Sequence, residues 1–338
     1  MKLVSFTNSE GKERVGLRLG GPLPSQASIV DFGAATTYLR SQGKSPSAVE
    51  ASAFECMIDF IRNQDQTLPA ARATEELFKS GKLPDGLRMP ETQVRLLAPI
   101  PQPVSMRDGY AFRQHVEAAR KGRGLPMIPE FDEFPVFYYT NHLAVTGPGP
   151  VSVREKHLER LDFELEYAIV IGKEGRNLRA SEADDTIFGY MIMNDWSARE
   201  LQTQEMKMSL GPAKGKDFAT SLGPYLVTRD ELASRTERSA NGDRQTLRMQ
   251  AWVNNTQVSE GRTQDMTWTF AQIVERVSYG VTLRPGEVIG SGTVGTGCFM
   301  ELNATGKTAG QWLKHGDHVV LEVEGLGRLE NTIQLARV

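Results

Sequence analysis

The sequence predicts a predominantly β chain with α+β elements: a small amino-terminal α+β domain over residues 1–90, then a larger, mostly β domain over 91–338. Three observations lead there. Apolar residues recur with a period of two in many short segments punctuated by Gly and Pro. Helical spacing is confined to a few stretches, and no regular strand–helix alternation of the doubly wound kind occurs. A length of 338 residues fits about two domains.

In chain order, residues 2–7 and 14–19 read as a hairpin turning at Ser9-Glu10-Gly11, followed by a strand over 27–32. Phe54, Met57, Ile58 and Ile61 fall at i, i+3, i+4 and i+7, which predicts an amphipathic helix over 48–63. A second helix is expected over 70–80, stopped at Gly81. Leu96-Leu97-Ala98-Pro99-Ile100-Pro101 reads as a short strand entering a proline-marked linker. Strands are then expected at 136–139, 161–171, 187–193, 222–228, 247–253, 287–291 and 318–323, with helices at 111–120, 198–208 and 267–278. The polar stretch 229–243 reads as a surface excursion.

The bulk numbers exclude several function classes. Lys+Arg 39 against Asp+Glu 42 leaves a net charge of −3, and no basic run carries interleaved aromatics, so no nucleic-acid or membrane partner is expected. The two cysteines, Cys56 and Cys298, form no CxxC pair and support no disulfide framework. The first ten residues lack the apolar core of a signal peptide, and no apolar run approaches the roughly 20 residues that span a bilayer. A cytoplasmic protein acting on small molecules is the expectation.

The segment Leu161-Asp-Phe-Glu-Leu-Glu-Tyr-Ala-Ile-Val-Ile-Gly172 alternates and then becomes wholly apolar. Read as one strand, it projects Asp162, Glu164 and Glu166 to a single face. Crowded carboxylates need a compensating cation or solvent, and a hard ion such as Mg²⁺ or Ca²⁺ takes carboxylate oxygens. Asp195, ending the apolar run 189–194, is a plausible third ligand, with Ser197 and Glu200 placed as a capping box for the helix that follows. Asp108 stands seven residues before His115, so the two share a face if that segment is helical. Gly290-Ser-Gly-Thr-Val-Gly295 satisfies GxGxxG, but 296–303 alternates like strand rather than helix. The glycines are therefore read as a tight, closely approached loop and not a dinucleotide site.

Together these motifs resemble the fumarylacetoacetate hydrolase superfamily, as a bacterial-type two-domain member. The resemblance rests on Asp108-Gly-Tyr-Ala-Phe-Arg-Gln-His115, Asp162-Phe-Glu164-Leu-Glu166, Met193-Asn-Asp195-Trp-Ser-Ala-Arg-Glu-Leu-Gln202, Gly215-Lys216-Asp-Phe-Ala-Thr220-Ser221 and Gly290-Ser-Gly-Thr293. It covers about residue 90 to the end. It implies a catalytic domain of rolled β-sheets around a metal centre, usually in a homodimer. It also implies Asp108, Glu164, Glu166 and Asp195 as metal-binding acids, with Lys216 and Thr220 beside the metal. By the same resemblance His115 is the catalytic base, Lys216 a catalytic cation, and Tyr138, Gln202 and Thr293 face substrate. Mg²⁺ is the expected ion, with Ca²⁺ or Mn²⁺ as alternatives.

Such a centre suits a 2-oxo or 1,3-dicarbonyl acid. A histidine with a reference pKa near ~6.5 can take a proton at neutral pH, and a guanidinium matches a substrate carboxylate, with Arg123 preferred over Arg113 and Arg120. Two departures stand out. The classical hydrolases carry a glutamate after the Ser-Gly-Thr loop that pairs with the histidine; here 292–298 holds no acid, and Glu130-Phe-Asp132-Glu133 is the candidate substitute. Met206 also replaces a substrate-binding tyrosine, which argues against fumarylacetoacetate itself. The expected activity is metal-dependent carbon–carbon hydrolysis of a β-diketo acid such as an acylpyruvate or fumarylpyruvate. The alternatives are a decarboxylase, hydratase or isomerase of a 2-oxo acid, or a non-catalytic metal-binding homologue.

Overall fold

The computed structural model describes residues 1–43, 49 and 51–336. Among them, a twelve-stranded sheet forms the centre. Its main path runs Met89–Pro90, Ala27–Asp31, Glu13–Gly20, Lys2–Thr7, Thr220–Thr228, Ile187–Asp195, Leu165–Ile171, Val288–Gly290, Met106–Gly109 and Phe137–Tyr139. A five-stranded sheet, ordered Thr256–Arg262, Arg248–Val253, His318–Val323, Gly327–Leu335 and Gly149–Val153, packs against it. The result is a rolled β architecture with smaller amino-terminal α+β elements. The first strand is part of the large sheet, pairing Lys2 with Val227 and Leu3 with Leu226. The Met1 ammonium is fixed by Thr228 Oγ1 at 2.7 Å and Glu231 at 3.0 Å.

Burial on both faces explains the apolar strands of the middle. Leu165, Tyr167, Ile169 and Ile171 join Met249, Ala251, Leu321 and Leu329 of the smaller sheet in one core. Ala168 and Val170 point the other way, into a second core with Phe32, Phe54, Phe60 and Met191. There the amino-terminal helices cover the sheet, Phe32 stacking on Phe60 with centroids 5.0 Å apart and Phe60 meeting Phe188 edge-on.

Several expected elements are redrawn by tertiary contacts. The helix expected over 48–63 is broken into a 3₁₀ turn Ala51–Phe54 and a helix Met57–Arg62, with Cys56 extended between them. Phe54, Met57 and Ile61 reach the same core across the break, so the apolar spacing was satisfied without a continuous helix. Positions 48 and 50 of that stretch lie outside the described residues. The next helix begins six residues earlier than expected, at Gln64, and runs through Pro69 to Lys79. The strand expected over 161–171 is two strands. Leu161–Asp162 pairs with Ser197–Ala198 as a separate ribbon, and Leu165–Ile171 enters the large sheet, so one alternation does not run through all three acids. The expected capping box is absent: Ser197 Oγ donates to the Asp195 carbonyl, and Ala198 caps Arg199–Met206 with no side-chain bond. A helix, Phe299–Ala304, replaces the strand expected after the glycine loop. It buries Phe299 and Leu302, and Asp162 accepts from the backbone N–H groups of Phe299 at 2.7 Å and Met300 at 3.0 Å.

Ile169 carries this two-sheet core from the centre of its strand. Ile169→Ala is expected to cost about 2–5 kcal/mol, read as a lowered midpoint in urea denaturation.

Candidate active site

The sheet brings the acids together at the ends of neighbouring strands. Asp108 is next to last in Met106–Gly109, in register with Gly290; Glu166 lies opposite Met193; Asp195 ends its strand opposite Thr220. Oxygens of Asp108, Glu164 and Glu166 all lie within 4.8 Å of one another, and all three residues are buried. The glycine loop makes this possible. The Gly292 N–H, in a left-handed conformation at φ +77°, donates to Asp108 Oδ1 at 3.0 Å and to Glu166 Oε2 at 3.1 Å. Asp195 joins through Lys216, whose Nζ donates to Glu164 Oε2 at 2.6 Å and Asp195 Oδ2 at 2.8 Å. Tyr138 donates its hydroxyl to the same Asp195 Oδ2.

Two cations do not neutralise this set. Burial, then the neighbouring Asp195, pushes the Asp108 carboxyl from its ordinary 3.8 up to about 8. Burial and Asp108 together raise Glu166 well above its usual range. Asp195 is raised by burial despite Lys216. Burial would raise Glu164 too, but Lys216 and Arg199 hold it below the ordinary carboxylate value. Burial thus favours the protonated forms of Asp108 and Glu166, and a divalent cation bound there would compete with those protons. Asp195 Oδ1 is moreover buried without a hydrogen-bond partner. An all-oxygen donor set of buried acids with one orphaned oxygen fits a hard divalent ion, held by Asp108, Glu164, Glu166 and Asp195.

A cavity of about 460 Å³ opens onto these acids. Asp108, Glu164 and Lys216 line it together with His115, Arg123, Tyr138, Gln202 and Thr293, while Glu166, Asp195 and Thr220 lie buried outside the lining. Thr293 Oγ1 donates to Glu166 Oε1 at 3.4 Å, and Gln202 Oε1 accepts from Arg199 at 3.1 Å. Arg120 and Arg123 line the cavity; Arg113 is engaged by Glu117 and Asp132 instead. Asp108 and His115 do not share a helix face. Asp108 is on a strand and His115 on the helix Arg113–Lys121, and both reach the cavity because the chain turns between them.

The partner of His115 is Glu301, not the 130–133 segment: Glu301 Oε2 lies 3.0 Å from His115 Nδ1, and Glu301 is 1% exposed. Asp132, in that segment, pairs with Arg113. The acid therefore does follow the Ser-Gly-Thr loop, on the helix that the period-two reading missed. An acid between Phe299, Met300 and Leu302 was the available signal, because a carboxylate buried among apolar residues needs a partner. Arg199 was missed as well. Its guanidinium is 4% exposed, lines the cavity and donates to Asp162 at 2.9 Å and Glu164 at 2.7 Å.

The sequence profile of the fumarylacetoacetate hydrolase C-terminal family matches residues 105–334. The chain belongs to the fumarylacetoacetate hydrolase family. It is 30% identical over 282 residues to the oxaloacetate tautomerase YisK of Bacillus subtilis, across 82% of this chain and 86% of that one. It is 28% identical over 309 residues to a fumarylacetoacetase of Oryza sativa subsp. japonica, across 75% and 70%. A solved fumarylacetoacetate hydrolase from the psychrophile Exiguobacterium antarcticum superposes with a TM-score of 0.69 at 25% identity, covering 99% of this chain and all of the other. Its relatives thus divide between tautomerases and hydrolases. Among the described residues no helix is long and apolar enough to cross a membrane.

Two outcomes follow from the crowded acids. A carboxyl raised on folding contributes stability that is full below its unfolded value and is lost as pH rises through its folded value. For Asp108 that window runs from 3.8 to about 8. Metal-free protein should therefore lose thermal stability as pH rises through this range, and stabilisation by added Mg²⁺ should grow with pH, both read by scanning fluorimetry. At Gly290 a Cβ would lie 2.3 Å from Asp108 Oδ1. Gly290→Ala should displace that ligand and weaken Mn²⁺ binding by roughly 10–100-fold, measured by titration calorimetry.

Proposed function

We propose that this chain is a metal-dependent isomerase of a 2-oxo acid, moving a proton between the keto and enol forms of an oxaloacetate-like dicarboxylate. One observation carries the reading: an imidazole held at Nδ1 by Glu301 faces the same cavity as the carboxylate cluster. The likeness to a bacterial oxaloacetate tautomerase supports it. With Nδ1–H given to Glu301, the Nε2 lone pair of His115 is directed to substrate and takes the proton from the carbon beside the oxo group. The Glu301 carboxylate stabilises the imidazolium so formed. The divalent ion, when bound to the four acids, supplies positive charge for the oxygen that becomes an enolate. Lys216 adds a fixed ammonium at the same place. Arg123 holds the distal carboxylate in a forked contact. His115 then returns its proton to oxygen, which completes the isomerisation.

A second reading is favoured by a specific observation. The His115–Glu301 pair restores the feature of classical hydrolases that the loop lacked, and the cavity is roomier than a four-carbon acid requires. In that case His115 takes a proton from water, the resulting hydroxide adds to a carbonyl of a β-diketo acid, the carbon–carbon bond breaks to release a carboxylic acid and an enolate, and the proton on His115 passes to the enolate carbon.

The test is metal-stripped and Mg²⁺-loaded protein against oxaloacetate, acylpyruvates and fumarylpyruvate, followed by NMR. The expected result is Mg²⁺-dependent keto–enol exchange of oxaloacetate, slowed about 10²–10⁴-fold in His115→Ala. Cleavage of an acylpyruvate into two acids, with oxaloacetate exchange at background, selects the hydrolase. Metal binding with neither reaction removes both.

A further inference from the structure

Asp162 is the one acid of the 162–166 motif that does not join the metal-site cluster. It is fully buried, and the long-range bonds of its carboxylate lead to the two halves of the site. Oδ1 accepts from Phe299 N at 2.7 Å and from Phe163 N at 3.0 Å; Oδ2 accepts from Met300 N at 3.0 Å and from Arg199 Nε at 2.9 Å. The first half is the helix Phe299–Ala304, whose third residue, Glu301, holds His115. The second is Arg199, which extends to Glu164 at 2.7 Å and to Gln202 at 3.1 Å.

We infer that Asp162 is a positioning residue: it fixes the Glu301 helix, and through it the His115 imidazole, relative to the carboxylate cluster. The helix has six residues and its N-cap, Cys298, makes no side-chain cap bond, so its first N–H groups depend on this carboxylate. Asp162 meanwhile stands two residues from Glu164 in the chain and is joined to it again through Arg199, so its own place is set by the metal side of the site. Removing the carboxylate frees the helix N-terminus while Lys216, Gly292 and Arg199 still hold the cluster.

The test reads the dyad and the cluster separately, and neither reading requires substrate. Nitrogen-15 spectra of the five imidazoles, with His115 assigned from His115→Gln, report its Nδ1–H···Glu301 bond as a downfield proton. Mn²⁺ affinity reports the cluster. In Asp162→Ala the downfield signal should vanish, as in Glu301→Gln, while Mn²⁺ affinity stays within about threefold of wild type, well short of the 10–100-fold loss expected when a supporting partner of a ligand goes. Asp162→Asn, whose amide oxygen still accepts from the helix, should restore part of the signal. Turnover rests on the proposed 2-oxo-acid reading; there kcat should fall about tenfold or more with KM little changed, and absence of any turnover in wild type would fault that reading without touching the spectra. An intact His115 signal in folded Asp162→Ala overturns the inference, as does equal loss of signal and Mn²⁺ affinity. Should the alanine variant not fold, Asp162→Asn decides: a wild-type signal and wild-type kcat overturn it.

Discussion

Everything at this site follows from acids held too close together. Asp108, Glu164 and Glu166 sit within 4.8 Å, and Asp195 is attached through Lys216. Left alone, like charges at that separation in a buried place keep protons or draw in a cation. The fold uses several devices to impose the arrangement regardless. Glycines at 290 and 292 let the backbone approach Asp108 and Glu166. Lys216 and Arg199, both buried, offset part of the charge at Glu164. What remains uncompensated is what a divalent ion bound there would complete.

The buried cations also divide the labour. Lys216 binds Glu164 and Asp195 and faces the cavity, where it can meet a developing oxyanion. Arg199 binds Asp162 and Glu164 and ties the acids to the helix that carries Glu301. A buried charge pair of this kind is weak support for stability, since desolvation offsets much of the attraction. Its value here is geometric: it relates two halves of a site that come from segments 137 residues apart in the chain.

The chain wrote its acids more clearly than its helices. Glu166 and Asp195 were legible because acids bordering apolar strands have few solvated alternatives, and both are fully buried. Glu301 was not legible from alternation. Residues 296–303 carry a period of two by coincidence, and the helix there is held by long-range contacts, among them the bonds from Phe299 N and Met300 N to Asp162. Asp162 misled for a related reason. A strand period assumes an unbroken strand, whereas the chain leaves one ribbon after Asp162 and enters another at Leu165. Helix 48–63 failed similarly, because its apolar spacing is met by two short pieces that reach one core. Local pattern fixes which side chains are buried; non-local partners fix the backbone that buries them.

The division of relatives between tautomerases and hydrolases has a simple reading in this geometry. On the reading proposed above, both reactions would draw on one base, His115, and on the positive charge that Lys216 and a cation bound to the acids would supply to an enolate oxygen. They differ in what lies between His115 Nε2 and the substrate. If the substrate carbon meets the imidazole directly, the base removes a carbon-bound proton and the product is an isomer. If a water fits between them, the base activates it and the bond beyond the carbonyl breaks. On the reading proposed above, the choice between them would rest with the side chains that line the cavity beside the acids, among them Val136, Met206 and Met300. Lining that presses the substrate onto His115 would exclude that water; lining that leaves a gap would admit it. The acid cluster, common to both chemistries, would not by itself decide between them.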